Sequence, residues 1–164
     1  MLRCSALVLP FVLLAGCAQP SYTYRYVPGK TADLCDGCAI APPGAPAQVQ
    51  AAVAAANRIA GLPYARGGGH AIGEASVYDC SGATSYVLRE AGLLHDSMPS
   101  RGFRRYGEPG EGEWISVYAR RGHVFLAVAG LRFDTGWASE QRGPQWTTRD
   151  RPADGCVIRH PPGL

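Results

Sequence analysis

The hydrophobic residues of this chain change their spacing once, and this change limits the folds that the chain can adopt. Over residues 47–60 they recur every three to four positions, which is the period of an amphipathic helix. Beyond Arg120 they alternate with a period of two, most clearly over His123–Val128, as in a half-buried strand. Helical patterns followed by strand patterns predict an α+β fold, with N-terminal helices packed on an antiparallel β-sheet.

Helix start and stop signals place a second helix between the two patterns. It is predicted to run from Cys80 or Ser81 to Ala91, because Asp79 can cap its start and Gly92 follows its end. The strands are predicted at Trp114–Tyr118, His123–Val128, Leu131–Thr135 and Cys156–Arg159, and Ala129-Gly130 forms the turn between the second and the third of them. Both helices therefore precede the sheet along the chain.

The length and charge of the chain exclude several classes of function. At 164 residues it has room for about one domain. Its net charge of +3 provides no basic stripe, so nucleic acid is not an expected partner. Its 6 cysteines and 4 histidines lack the spacing of metal ligands, so neither a metal site nor a cofactor is predicted. The function must therefore come from the side chains of one site.

The first residues have the pattern of a secretory signal. A basic start is followed by the apolar run Ala6–Ala15, which is too short to span a membrane. The run ends in Leu14-Ala15-Gly16-Cys17, which resembles the bacterial lipobox. That resemblance implies removal of residues 1–16 and attachment of acyl chains such as palmitate to Cys17. Ala18, rather than an acidic residue, follows Cys17, and in lipoproteins of this kind that implies an anchor in the outer membrane, facing the periplasm. An ordinary signal peptide with a chance cysteine is the alternative.

Residues 17–46 are predicted to form a flexible tether between the lipid and a domain that spans residues 47–164. The segment is rich in Pro, Gly, Ser, Thr and Tyr and has no helical periodicity. It contains Cys35-Asp36-Gly37-Cys38, for which an oxidising compartment predicts a local disulfide or one link to Cys156. A redox or zinc site is disfavoured because no second cysteine pair follows.

Cys80 and His123 are the residues on which a catalytic function depends. A cysteine attacks only as the thiolate, and a helix N-terminus favours that anion through its free N–H groups and its dipole. His123 opens a predicted strand, where its imidazole can accept the thiol proton and later protonate a leaving amine. Taken singly, Cys80 would be a small buried residue and His123 a polar residue at a strand edge. Their order along the chain is that of papain-like thiol hydrolases.

Three motifs occur in order along the predicted domain. They are Leu62-Pro63-Tyr64-Ala65-Arg66-Gly67-Gly68, Asp79-Cys80-Ser81-Gly82 and Gly122-His123-Val124. Together they resemble the NlpC family of bacterial cell-wall cysteine peptidases, over residues 47–164. The resemblance implies a papain-like α+β fold and hydrolysis of amide bonds in the stem peptides of peptidoglycan.

The resemblance also implies roles for individual residues. Cys80 would be the nucleophile and His123 the base. Tyr64 and Ser81 would lie in the cleft and contact the substrate, although Tyr64 has simple packing as an alternative role. His70 ends the glycine-rich loop just ahead of the nucleophile, which makes it a further candidate to line the cleft, with a structural or surface role as the alternative.

The third catalytic residue departs from the family pattern. The family places a histidine or another polar side chain on the strand that returns after the base, and the corresponding position here is Thr135, directly after Asp134. An orienting group must accept a hydrogen bond from the imidazole and stabilise its charged form, which a carboxylate does better than a hydroxyl. Asp134 is therefore preferred over Thr135, and His160 on the last strand is an outside candidate.

The predicted function is that of a peptidoglycan hydrolase, a thiol protease whose partners are stem peptides and, through Cys17, the membrane. Two alternatives stay open. One is a papain-like amidase or acyltransferase that acts on another envelope substrate, and the other is a non-catalytic lipoprotein that binds peptidoglycan. Arg101, Arg104 and Arg105 form a small basic cluster that could meet stem-peptide carboxylates, with a solvated loop as the alternative.

Overall fold

The described residues, 21–136 and 143–164 in this computed structural model, form helices followed by a six-stranded antiparallel sheet. The helices are α1 (Ala47–Ile59), α2 (Cys80–Glu90) and α3 (Ser100–Phe103). The strands are β1 (Ser21–Tyr22), β2 (Asp33–Cys35), β3 (Cys38–Ile40), β4 (Glu108–Pro109), β5 (Ile115–Arg120), β6 (His123–Val128), β7 (Leu131–Asp134), β8 (Gln145–Thr147), β9 (Arg151–Pro152) and β10 (Val157–His160). The sheet has the order β4-β10-β5-β6-β7-β8.

The two longer helices pack against this sheet and form the hydrophobic core with it. Val49 and Ile59 of α1 are buried, and α2 is buried from Cys80 to Leu88. These residues belong to the same core cluster as Val117 of β5 and Leu126 of β6. The fold is therefore α+β, as the change in hydrophobic spacing predicts.

The long elements agree closely with their predicted bounds. The first helix ends at Ile59 instead of Ala60, the second begins at Cys80, and β6 has the predicted bounds. β5 continues to Arg120 because this residue still pairs with His123 across the turn. The remaining short elements, α3, β4, β8 and β9, have two to four residues each and are too short to show a periodicity.

The described part of the segment predicted as a flexible tether, residues 21–46, packs on the domain instead. β1 pairs with β9, and β2 and β3 form a hairpin that contacts α1. Ala32 is fully buried and donates its N–H to the carbonyl of Ala129, while the side-chain amide of Asn57 binds both backbone groups of Ala39. These contacts follow no periodic pattern that the sequence could show. The high proline and glycine content is the clearest feature of the segment, and it wrongly predicts a flexible tether.

The predicted signal peptide, residues 1–16, and the predicted lipidation site Cys17 lie outside the described residues. Within the described ranges, no helix has both the length and the apolar character needed to cross a membrane.

The three cysteines of residues 21–136 and 143–164 that lie outside the candidate site are free thiols. Cys35 and Cys38 pair directly across the turn of the β2–β3 hairpin, and Cys156 packs against a separate cluster that contains Tyr118 and Phe125. Directly paired residues of an antiparallel hairpin have Cα atoms close enough for a disulfide. A disulfide between Cys35 and Cys38 stays a prediction.

A two-residue turn decides which side chains of β6 and β7 share a face of the sheet. Ala129-Gly130 forms this turn with φ angles of 45° and 69°, so the two strands pair directly on either side of it. In the resulting register, His123 and Asp134 occupy diagonal positions on one face, whereas Thr135 comes next along the strand direction and faces the opposite way. The turn length therefore selects the carboxylate as the neighbour of the imidazole.

The start of α2 touches the glycine-rich loop that precedes it. A Cβ added at Gly82 would overlap the carbonyl oxygen of Gly68. The same carbonyl accepts a hydrogen bond from the N–H of Asp79 at 3.1 Å. Glycine at position 82 therefore lets the loop lie against the first helical turn, which carries Cys80.

The Gly82→Ala variant is expected to unfold more easily than the unaltered chain. Its methyl group must push the loop away from α2, and overpacking of this kind costs about 1–3 kcal/mol of unfolding free energy. Urea unfolding measures the difference. Gly44→Ala is the matched control, because a Cβ there meets nothing within 4 Å. Equal stability of the two variants would contradict the close approach.

Candidate active site

Cys80 is the first residue of α2, and its side chain lies beside backbone donors. Asp79 caps the helix, and its Oδ1 accepts hydrogen bonds from the N–H of Gly82 at 2.7 Å and from the hydroxyl of Ser81 at 3.0 Å. The N–H groups of Cys80 and Ser81 have no acceptor within the helix, since they lie in its first turn. The helix start therefore presents a thiol together with N–H groups that can bind an anion.

Asp79 also connects the helix start to the glycine-rich loop. Its Oδ2 accepts a hydrogen bond from the N–H of Gly67 at 2.8 Å. Burial alone would raise the pKa of Asp79, but the hydrogen bonds from Gly82 and Gly67 outweigh it and hold the pKa below its usual range. Asp79 is thus an anion whose oxygens are occupied in holding the nucleophile's helix in place.

His123, the first residue of β6, lies between Cys80 and Asp134. Its Nε2 is 2.9 Å from Oδ1 of Asp134, and the thiol of Cys80 is near enough to raise the pKa of the imidazole. Since Nε2 faces the carboxylate, Nδ1 is the ring nitrogen left for the thiol. The structure therefore brings the predicted nucleophile, base and orienting carboxylate together at one place.

The surroundings of His123 favour its charged form. Burial alone would lower the pKa of His123, but its hydrogen bonds to Asp134 and Cys80 raise this pKa to about 9. The imidazole consequently stays protonated at neutral pH. A protonated imidazole beside a thiol can hold the thiolate as an ion pair, which is the reactive form of a catalytic cysteine.

Asp134 is buried and accepts hydrogen bonds from several sides. Its Oδ1 accepts from the N–H of Thr135 at 2.7 Å, and its Oδ2 accepts from Arg132 at 2.7 Å and from Arg151 at 3.1 Å. Burial would raise the pKa of this carboxyl, but the hydrogen bond and charge of His123 and the charge of Arg132 hold it well below its usual range. Asp134 therefore remains charged when it orients the imidazole.

The other two candidates for the third position do not contact His123. The hydroxyl of Thr135 is buried and has no hydrogen-bond partner among the described residues. His160 lies near β4, with its Nε2 3.4 Å from Glu108 and its Nδ1 3.1 Å from the carbonyl of Gly110. The β6–β7 register turns the side chain of Thr135 to the face of the sheet opposite that of His123. His160 is too far away because its strand, β10, is separated from β6 by β5.

Tyr64 lies close to the nucleophile. It forms an isolated parallel bridge with Tyr78, the residue two positions before Cys80, and its side chain is half-buried. Burial and the proximity of Cys80 raise the pKa of its phenol. The phenol therefore keeps its proton and can donate a hydrogen bond into the site.

His70 and Ser81 belong to the support of the helix start. His70 Nε2 lies 3.1 Å from Asp79 and 3.2 Å from the hydroxyl of Ser81, and His70 Nδ1 lies 2.6 Å from the hydroxyl of Ser97. This network joins the glycine-rich loop, the cap of α2 and the segment before α3. Both residues are hydrogen bonded to Asp79, and a contact of either residue with a substrate stays a prediction.

The hydrogen bonds of His123 are expected to make the stability of the protein depend on pH. Its pKa is about 9 in the folded protein, against 6.5 as the ordinary value. The stabilisation is then complete below pH 6.5 and is lost as the pH rises through about 9. Urea unfolding across this range should show the loss, and His123→Gln should lack it. His95→Gln, at an exposed histidine, should retain the pH dependence of the unaltered chain.

Comparisons with known proteins identify no relative from which the chemistry of the site could be taken. No family model, curated protein or solved structure matches this chain. Within residues 21–136 and 143–164, no group of three or more histidine, cysteine, aspartate or glutamate side chains is placed to hold a metal ion. What the site offers is an imidazole that is hydrogen bonded to a carboxylate and lies near a thiol.

The two arginines that surround Asp134 were not predicted. Arg132 is 2% exposed, and its guanidinium lies 3.4 Å above the ring centre of Phe125. Its signal in the sequence is its position two residues before Asp134 on one strand, which places both side chains on one face. Arg151 offers no such signal, because it comes from the two-residue strand β9.

Proposed function

We propose that this protein is a cysteine peptidase that cleaves amide bonds in the stem peptides of peptidoglycan. The observation that carries the proposal is the position of His123, which is hydrogen bonded to the buried carboxylate of Asp134 and lies close enough to the thiol of Cys80 for the thiol to raise the pKa of the imidazole. A thiol hydrolase needs a nucleophile, a base within hydrogen-bonding reach and a third group that orients the base. These three residues supply them.

The first half of the reaction forms an acyl-enzyme. In the resting site the proton of the Cys80 thiol already lies on His123, so the reaction starts from the ion pair of thiolate and imidazolium. The thiolate attacks the amide carbonyl carbon and forms the C–S bond, while the carbonyl oxygen becomes an oxyanion beside the N–H groups of Cys80 and Ser81. His123 then gives its proton to the amide nitrogen, the C–N bond breaks, and the amine departs.

The second half of the reaction consumes one water molecule. Neutral His123 takes a proton from water, and the resulting hydroxide attacks the thioester carbonyl. The C–S bond breaks, the carboxylic acid leaves, and the thiolate of Cys80 and the imidazolium of His123 are restored. Asp134 stays charged throughout and keeps the imidazole in position.

The substrate class is supported by the sequence. The three motifs resemble those of the NlpC family, and a papain-like arrangement is compatible with helices that precede an antiparallel sheet. The segment that ends at Cys17 resembles a lipobox, which would anchor the enzyme in the outer membrane, facing the periplasm. A periplasm-facing enzyme would lie within reach of peptidoglycan.

The proposal is tested with the full chain, purified in mild detergent, and isolated sacculi. We expect soluble fragments with new amino groups on their stem peptides, detected by mass spectrometry. Alkylation of Cys80 by iodoacetamide should stop their release, and peptide mapping must identify the modified residue because Cys35, Cys38 and Cys156 also carry free thiols. Digestion that continues after full alkylation of Cys80 would overturn the mechanism.

The same experiment separates the alternatives. Incorporation of an added amine in place of water would show that the acyl-enzyme transfers its acyl group, and would favour an acyltransferase. Sacculi that bind the protein but stay intact would favour a non-catalytic lipoprotein. Either result would overturn the proposed peptidase.

A further inference from the structure

Four arginines line one groove next to the candidate active site. The groove has a volume of about 810 Å³, and its walls include Arg101, Arg104, Arg105, Arg121 and Gly122. No aspartate or glutamate of the described residues lines it. We call it the arginine groove.

The positive charges of the arginine groove are not neutralised by the described part of the chain. Within residues 21–136 and 143–164, none of its four guanidinium groups forms an ion pair with a carboxylate. By contrast, Arg58 pairs with Glu90 and Arg132 pairs with Asp134. Like charges that converge on one groove repel one another, and a bound anion relieves this repulsion.

A second groove of the protein shows that this charge pattern is specific. It has a volume of about 700 Å³, and its lining includes Arg25 together with Glu111 and Glu113. Its lining carries charges of both signs, so an anion gains little there. The arginine groove, whose charged lining residues are all cations, is therefore the better anion site.

Both walls of the arginine groove are attached to the elements that carry the catalytic residues. Arg121 and Gly122 form the turn between β5 and β6, and the Cα of Gly122 is about 3.8 Å from that of His123. The opposite wall includes α3, which follows Met98, and the N–H of Met98 donates a hydrogen bond of 3.0 Å to the hydroxyl of Ser85 on α2. The groove therefore keeps a defined position relative to the reacting groups.

We infer that the arginine groove binds a carboxylate of the substrate, on the fragment that departs with the amine. The assignment rests on the proposed function, in which His123 gives its proton to the departing nitrogen. That fragment must therefore lie on the side of His123, and Gly122, the residue before His123 in the chain, lines the groove. Guanidinium groups bind carboxylates through two parallel charge-assisted hydrogen bonds, and stem peptides carry free carboxylates besides their amide bonds.

The test measures binding separately from turnover. The full chain with Cys80→Ala is titrated with a stem peptide whose carboxylates are free, and with the same peptide after conversion of these carboxylates to amides. We expect the free peptide to bind at least about tenfold more tightly. Adding Arg104→Gln and Arg105→Gln should abolish this preference. Arg25→Gln, which removes the same charge from the second groove, should preserve it.

Two results would overturn the inference. One is equal affinity of the starting chain for the two peptides, and the other is a preference that survives the Arg104→Gln and Arg105→Gln changes. Inorganic phosphate and vesicles of anionic phospholipid are titrated as competing probes. If the arginine changes weaken only the binding of phosphate or vesicles, the groove takes a phosphate and the inference is wrong.

The inference and the proposed function can fail separately. Cleavage is measured in the chain with Cys80 intact, with the carboxylate peptide and its amide as substrates. A chain that prefers the carboxylate peptide in binding but cleaves neither peptide would overturn the proposed function and leave the anion site in place. If the chain binds both peptides with equal affinity and cleaves both with equal efficiency, the proposed function stands and the anion site is wrong.

Discussion

The full chain carrying Cys80→Ala should release peptide fragments from sacculi about 10⁶-fold more slowly than the unaltered chain, which is background in practice. His123, Asp134 and the N–H groups at the start of α2 all remain in this variant. They activate and stabilise a sulfur nucleophile that is no longer present, so the first C–S bond cannot form. Timed digestion, with the fragments separated and weighed by mass spectrometry, measures the rate.

The other cysteines provide matched controls for this variant. Cys35→Ser, Cys38→Ser and Cys156→Ser should each digest sacculi at the rate of the unaltered chain. Burial raises the pKa of the Cys156 thiol and so disfavours its thiolate, which makes it a poor nucleophile. Alanine is a good helix former, so Cys80→Ala should fold, with a loss of stability no larger than the contribution of Cys80 to protonated His123. Undiminished digestion by Cys80→Ala would contradict the mechanism.

The fold class was predictable because it depends on periodicity, which is a property of the local sequence. α1, α2 and β6 each have more than five residues, and their bounds agree with the prediction to within one residue. Residues 21–46 lack such a repeat. Their packing depends on single contacts, such as the N–H of Ala32 with the carbonyl of Ala129, that join parts of the chain far apart in sequence.

The candidate nucleophile and the candidate base were predictable from their local settings, a capped helix start and a strand start. The choice between Asp134 and Thr135 was harder, because it depends on the number of residues in the turn before β7. The two-residue turn at Ala129-Gly130 places Asp134 on the face of His123. A register shifted by one residue would have brought Thr135 to that face instead.

The charged surroundings of the carboxylate could not be predicted from local sequence alone. Arg151 reaches Asp134 from a two-residue strand, and the arginine groove combines residues of the α3 segment with the turn before His123. Local patterns do not report which loops meet in space. The charged groups around the site are therefore visible only in the structure, whereas the sequence predicts the candidate reacting groups.

The Asp134→Asn variant should lose about 10⁴-fold in the rate of peptide release. The carboxylate accepts hydrogen bonds from His123, Thr135, Arg132 and Arg151 at once, whereas an amide has only one accepting atom. If its oxygen faces the arginines, its NH₂ group faces the imidazole and favours the wrong tautomer. If its oxygen faces the imidazole, the NH₂ group meets the guanidinium donors.

Either orientation of the amide should also destabilise the fold. Arg132 is 2% exposed, and a buried charge that loses its partner costs about 3–5 kcal/mol of unfolding free energy. Because the pKa of Asp134 lies below its usual range, its contribution is complete above the ordinary carboxyl pKa and is lost only as the pH falls through the lowered value, so measurements at neutral pH record the full difference.

Thr135→Val is the matched control for Asp134→Asn, since it removes a buried hydroxyl that has no partner among the described residues and keeps the shape of the side chain. It should leave both the rate of peptide release and the urea midpoint close to those of the unaltered chain. Both variants are compared at neutral pH, by timed digestion of sacculi and by urea unfolding. A large loss of activity in Thr135→Val with little loss in Asp134→Asn would show that the hydroxyl orients His123 during the reaction, and would contradict the role of the carboxylate argued from the 2.9 Å hydrogen bond.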